Sequence, residues 1–163
     1  MIDSVDHSIL TILQEDGRIS NAEIARRIGM APSGVLERLR KLEERGIVKG
    51  YQPRLDAKAL GLGVLAFVFV KTDEVSGEEK TAKLLAAMPE VQEVHHLAGE
   101  DCYLAKVRAP DTEALGRLLR EKVGAISSVR STRTTIVLGT AKESMALPLG
   151  PESRTPKTEE ANR

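Results

Sequence analysis

Residues 33 to 49 space their cationic side chains as a helix that meets a polyanion would. Arg38, Arg40, Lys41 and Arg45 interleave with Leu36, Leu39 and Leu42, so an apolar stripe built on Val35, Leu36, Leu39 and Leu42 can pack inward while donors reach phosphate oxygens. Ser33, Gly34 and Glu37 stand near the N-terminal end, where a recognition helix comes closest to base edges. A glycine at 34 leaves room for close approach. With Arg18, Ser20 and Lys49 at the flanks, the residues expected at a duplex are Arg18, Ser20, Ser33, Gly34, Glu37, Arg38, Arg40, Lys41 and Lys49. A solvated helix has a similar composition, since Glu37 and Lys41 stand at ion-pair spacing; the flanking signals described below tip the reading toward DNA.

A second group could do different chemistry. His95 and His96 adjoin Glu93, and Glu100, Asp101 and Cys102 follow on a turn, which has the donor types of a metal site. Adjacent strand residues point to opposite faces, however, so the two histidines do not share one ion, and no metal is expected. Cys102 is the only cysteine, which excludes an intramolecular disulfide, and no base is spaced to activate it as a nucleophile. Phosphate-binding glycine loops and serine elbows are absent, so the chain does not read as an enzyme.

Charge supports the first group. The 163 residues carry 24 basic and 24 acidic side chains, yet between Arg18 and Lys49 eight basic residues face four acids. From Lys71 to Arg133 the count is ten to eleven, so the cationic surplus is confined to the N-terminal third. An apolar content of 41% suffices for real cores. No apolar run approaches the roughly 18 residues of a membrane span, and MIDSVDHS opens with acids rather than a signal-peptide cation. A cytoplasmic location is expected.

The elements that must hold these residues follow from local chemistry. Asp3 and Asp6 at cap spacing open a helix to Asp16 with Val5, Ile9, Ile12 and Leu13 on one face. Ser20 and Glu23 form a capping box for a second helix that buries Ile24, Ala25 and Ile28 and ends at Gly29. Pro32 starts a third that runs to Gly46. Ile47-Val48 and Tyr51-Gln52 then read as a small hairpin or wing. The boundaries are a winged helix-turn-helix over 1–52, a linker over 53–62, a second domain over 63–141 and a disordered tail over 142–163 rich in Pro, Glu, Ser, Thr and Lys. Within the second domain the pattern is strand (Val64 to Val70), helix (Glu78 to Met88), strand (Val91 to Leu97), strand (Tyr103 to Val107), helix from Asp111, strand (Ser128 to Leu138). This α+β arrangement, βαββαβ, is the ferredoxin-like plait, which leaves one sheet face uncovered and suited to a second copy of the chain.

Several stretches together resemble the Lrp/AsnC, or feast/famine, family of transcription regulators. They are DxxDxxIL at Asp3 to Leu10, QEDGRISNAEIARRIGM at Gln14 to Met30, LERLRKLEERGIVKGY ending at Tyr51, LDAKALGL in the linker, GEDCYL at Gly99 to Leu104 and TTIVLGTAK at Thr134 to Lys142. The resemblance implies a winged helix-turn-helix followed by an effector-binding, oligomerising domain. It further implies dimers joined through the sheets, often octamers, and a small amino-acid-like effector bound near the GEDC turn. Carried over position by position, the effector residues would be Gly99, Asp101, Cys102, Tyr103, Thr132 and Thr134, with His96 beside them. Two departures stand out: Ala31 occupies the cap position of the recognition helix, at a cost of about 1 kcal/mol, and Cys102 stands where the family's turn commonly has an acid.

The reading is therefore a sequence-specific, double-stranded-DNA-binding transcription regulator that responds to an amino-acid-like effector, with no cofactor. The alternatives are a tetrapyrrole-processing decarboxylase on the same fold, in which His95 and His96 would act, and a non-specific architectural DNA binder.

Overall fold

The computed structural model describes residues 2–75 and 78–149. The chain divides into two units, one of Met1–Pro53 together with Glu143–Arg163 and the other of Arg54–Lys142.

The first unit contains α1 (Ser4–Glu15), α2 (Asn21–Ile28) and α3 (Pro32–Glu44). Asp3 and Asp6 cap α1 reciprocally: Asp3 Oδ1 accepts from the Asp6 amide at 2.8 Å and the Asp3 amide donates to Asp6 Oδ2 at 3.3 Å. Ser20 caps α2 through the Glu23 amide at 3.2 Å. The return half of that box is missing, because Arg26 and Arg27 hold the Glu23 carboxylate at 2.7 and 3.0 Å. Gly29 ends α2 at φ 72°, in the left-handed region that a side chain disfavours. Pro32 opens α3, and Ala31 contributes no side-chain cap. Ile9, Ile24, Ala25, Val35 and Leu39 form the core of this unit.

Two expectations fail here. Leu36 does not join the inward stripe and is 57% exposed, because it stands about 100° around the helix from Val35 and well off the Val35–Leu39–Leu42 line. No strand forms among the described residues between Glu44 and Val64, so the expected hairpin is absent. The Ile47 and Val48 amides both donate to the Leu42 carbonyl, at 2.9 and 3.2 Å, which commits them to closing the end of α3 rather than to a ladder. The linker read over 53–62 contains a local turn. Asp56 Oδ1 accepts from the Lys58 and Ala59 amides at 2.9 and 3.1 Å, making a capped turn.

The second unit contains β1 (Val64–Thr72), α4 (Lys80–Ala86), β2 (Val91–His96), β3 (Tyr103–Ala109), α5 (Thr112–Arg117, continued by a π-helical turn, Leu118–Val123) and β4 (Val129–Ile136). The sheet order is β2-β3-β1-β4 and every pair is antiparallel, which is the ferredoxin-like order expected for βαββαβ. Strand alternation sends Ala66, Val68 and Val70 of β1 and Ala105, Val107 and Ala109 of β3 to the side covered by Leu85, Leu115, Leu118 and Val123. Phe67, Phe69, Leu104, Lys106 and Arg133 face the other side, which no helix among the described residues of this unit covers. Leu84, adjacent to the fully buried Leu85, is 51% exposed and does not share its inward face.

Of the expected tail, residues 142–149 are described and carry no helix or strand; the remainder lies outside the described residues. Gln14 on α1 brackets Leu147 with its side-chain amide, accepting from the Leu147 amide at 2.6 Å and donating to its carbonyl at 3.1 Å.

Candidate functional site

The solvent side of α3 is short and ordered by its own charges. Ser33, Leu36, Glu37, Arg40 and Glu44 are exposed along it, while Val35, Leu39 and Leu42 are buried on the other side. Lys41 Nζ lies 2.7 Å from Glu37 Oε1, and Arg40 Nε lies 3.4 Å from Glu44 Oε1. The Lys41 ammonium holds the Glu37 carboxyl below the usual carboxylate range. Each cation on this face therefore has an exchangeable intrahelical partner, and a phosphate must compete with a carboxylate for it.

Arg38 differs from its neighbours. Its Nη1 donates to Asp3 Oδ2 and Asp6 Oδ1, both at 2.7 Å, and Asp6 is buried. The guanidinium thus ties α3 to the capping box of α1. The Asp6 amide and the Arg38 guanidinium lower the Asp3 pKa, and the two aspartates raise that of Arg38. This cluster lines a cleft of about 410 Å³ together with Met30, Gly34 and Lys41. Gly34 is half-buried in that cleft, and a Cβ there would stand 3.1 Å from the Met30 methyl. Its lack of a side chain accordingly serves the packing of the turn before α3 as well as any approach to a groove. Arg18 and Lys49 are exposed at the flanks, and Ser20 is occupied as the α2 cap.

In the second unit the residues expected around the 99–103 turn separate onto two sides of the sheet. Tyr103 is buried, and its hydroxyl donates toward Glu74 Oε2 at 3.2 Å and the Glu78 carbonyl at 3.4 Å. Burial, reinforced by Glu74, pushes the phenol pKa up. Burial also pushes Glu74 up, but the amide and hydroxyl of Thr81 and the Tyr103 hydroxyl outweigh it and leave the carboxyl lowered. Thr81 Oγ1 lies 2.6 Å from Ser128 Oγ, which extends this polar network toward β4. Tyr103 is therefore part of the packed interior, with the His96 ring against it at 5.1 Å between centroids. Thr132 and Thr134 pair with Val70 and Val68 on the same, helix-covered side, at the edge strand.

Asp101 reaches the opposite side. Its Oδ2 accepts from Arg133 Nη2 at 2.9 Å, and the Arg133 guanidinium carbon lies 3.9 Å above the Phe69 ring, a stacked cation whose side chain is 63% exposed. Cys102 is half-buried with its sulfur 3.7 Å from the Thr72 carbonyl, and Gly99 is exposed with open space where a side chain would be. Arg133, Phe69 and Glu74 went unnoticed in the sequence. For Arg133 the one signal is a pair of arginines, Arg130 and Arg133, set among threonine and serine along an edge strand; Phe69 and Glu74 carry none. A cleft of about 310 Å³ lined by Glu90, Pro110, Arg117 and Lys122 contains none of the expected residues.

His95 Nε2 lies 3.1 Å from Glu93 Oε2, while His96 pairs with Tyr103 on the other side. Among the described residues no three His, Cys, Asp or Glu side chains gather where one ion could hold them.

A three-helix head with an exposed, charged third helix, followed by a ferredoxin-like sheet domain, defines a DNA-binding regulator that carries a separate second module. Residues 2–49 match the family model for winged helix-turn-helix DNA-binding, and residues 65–147 match that for the Lrp/AsnC ligand binding domain. The leucine-responsive regulatory protein of Escherichia coli K12 is 36% identical over 148 residues, covering 90% of each chain. A transcriptional regulator of Neisseria meningitidis, solved as its L-methionine complex, superimposes with a TM-score of 0.85 at 32% identity, over 91% of this chain and 97% of its own. A feast or famine regulatory protein of Mycobacterium tuberculosis, also with L-methionine, gives a TM-score of 0.83 at 33% identity over 90% and 99%. The chain belongs to the Lrp/AsnC family of transcription regulators. No helix among the described residues is long and apolar enough to cross a membrane.

Proposed function

We propose that the head binds a specific duplex through α3 and that an amino acid bound at the Asp101–Arg133 end of the sheet adjusts how copies of the chain assemble on it. The observation that carries the first half is the outward face of α3 on a helix-turn-helix core, with Ser33 and Glu37 near its start and Arg40 and Lys41 further along. Ser33 and Glu37 would meet base edges and Arg40, Lys41, Arg18 and Lys49 phosphates, while Ser20 and Arg38 act by positioning the helices.

For the effector, the support is chemical. Asp101 and Arg133 form an exposed pair that a zwitterion can enter, its carboxylate replacing Asp101 at the guanidinium and its ammonium taking the freed Asp101 carboxylate. Each charge of the pair keeps a partner, so entry does not strand an ion. Two neighbouring structures hold L-methionine, and we extend that ligand class to this chain. The uncovered side with Phe67, Phe69 and Leu104 is the proposed face between copies, in dimers or higher assemblies up to octamers.

The test couples the two halves. A duplex selected from a random pool should outcompete unselected duplex, which separates a specific regulator from an architectural binder. Methionine or leucine should raise the melting temperature and change the assembly's mass for the wild type but not for Arg133→Ala. An unchanged response in Arg133→Ala removes the sheet-end site, and failure to enrich any duplex removes the DNA reading.

A further inference from the structure

We propose that Leu36 is a base-reading residue, which recognises the 5-methyl group of a thymine in the major groove. The inference rests on the DNA-binding reading above and adds to it a named contact and a named base.

Leu36 is 57% exposed although it lies in the second turn of a helix that buries Val35 completely and Leu39 almost so. A lone exposed leucine is ordinary on a protein surface. Its surroundings make this one different. It stands one turn after Ser33 and one turn before Arg40, on the exposed side of α3, with Glu37 adjacent. A helix-turn-helix recognition helix presents its early turns to base edges. The side chains beside Leu36 are the polar groups such a helix uses, and their charges are already neutralised in pairs, Glu37 with Lys41 and Arg40 with Glu44. Among these polar neighbours, which suit hydrogen-bonding edges, Leu36 is the large exposed side chain suited to an apolar contact. In the major groove thymine offers an apolar group, its C5 methyl, and an apolar side chain long enough to reach it makes the contact.

The protein interior has no claim on this side chain. Leu36 is absent from the core of the head and from the partly buried residues packed on that core, so truncating it leaves the fold intact. The competing occupant of an exposed leucine is a second copy of the chain, which an assembly measurement separates.

The experiment uses the full chain. A duplex is enriched from a random pool by the wild type, and each thymine in it is replaced in turn by deoxyuridine, which removes the methyl and nothing else. We expect one thymine per half-site whose replacement weakens binding roughly fourfold, the value of one buried methyl-sized group, and about fifteenfold when both half-sites are changed. Leu36→Ala should bind the thymine and deoxyuridine duplexes equally, with an unchanged melting temperature, whereas Leu36→Met should keep the discrimination because it still offers an apolar tip. Deoxyuridine without effect at every position, or discrimination that persists in Leu36→Ala, overturns the proposal while leaving the DNA reading in place. A change in the assembly's mass in Leu36→Ala without loss of methyl discrimination overturns it in favour of a contact between copies. If no duplex is enriched, both readings fall.

Discussion

Replacing Arg38 by alanine should unfold the head more readily than it weakens phosphate contacts. The side chains of Asp6 and Arg38 are 10% and 31% exposed, and Arg38 Nη1 is 2.7 Å from Asp6 Oδ1. Removing one partner of a fully buried pair costs about 3–5 kcal/mol, because the remaining charge is stranded. Here Asp6 Oδ2 keeps the Asp3 amide and about a third of the guanidinium is in water, so we place the loss near 2 kcal/mol. A unit of this size is stable by about 2.5–8 kcal/mol. Losing about 2 should lower its melting temperature by about 10 °C and speed hydrogen exchange along α1 to α3. Lys41→Ala is the control, since Lys41 pairs with Glu37 in solvent. It should leave stability within about 0.5 kcal/mol and reduce the slope of log affinity against log salt by about 0.9 if it neutralises one phosphate. The comparison is refuted if Arg38→Ala melts like the wild type and flattens the salt slope as Lys41→Ala does, for Arg38 would then be a phosphate contact.

Two further outcomes follow from the same geometry. Arg26 and Arg27 hold the Glu23 carboxyl at about 2 against an ordinary 4.5, so its contribution to α2 is complete above about pH 4.5 and is lost as pH falls through about 2. Carboxyl NMR should find it titrating near 2 at low salt and closer to ordinary as salt screens this exposed site, and an ordinary value at low salt refutes the pairing. Phe67→Asp, on the uncovered side of the sheet, should reduce the assembly's mass and lower DNA affinity by one hundredfold or more through lost avidity, roughly 10²–10⁴; an unchanged mass moves the interface elsewhere.

Local chemistry was readable because it acts over three or four residues. Asp3 with Asp6, Gly29 at its positive φ and Pro32 at the start of α3 each do what their spacing demands. The strands followed from apolar and β-branched runs with Pro and Gly punctuation, and the sheet order from their βαββαβ succession. What was not readable is decided by partners far along the chain. Arg38 looks like any other cation of its helix until Asp3 and Asp6, 35 and 32 residues earlier, are folded against it. Arg133 and Asp101 are likewise 32 residues apart. Tyr103 stands in the turn that the family resemblance links to an effector, and strand parity, not legible in the motif itself, points it toward the helices, where Glu74 accepts from its hydroxyl. Even local spacing misleads when two claims compete: Glu23 could have returned to Ser20, but two guanidiniums three and four residues on take the carboxylate instead.

These pairings bear on why such a chain would need more than one head. Arg38 is committed to α1, and Arg40 and Lys41 already face carboxylates on their own helix. One head therefore releases few counterions on meeting a duplex, since each cation must first exchange a carboxylate for a phosphate. Under the proposed assembly, affinity comes from presenting several heads at once, so that the second binds at the high effective concentration set by the first. In that proposal the second unit controls DNA occupancy through the spacing of copies. Whatever alters the spacing of copies alters the effective concentration of heads on the duplex, and a modest change in assembly is multiplied into a large change in occupancy.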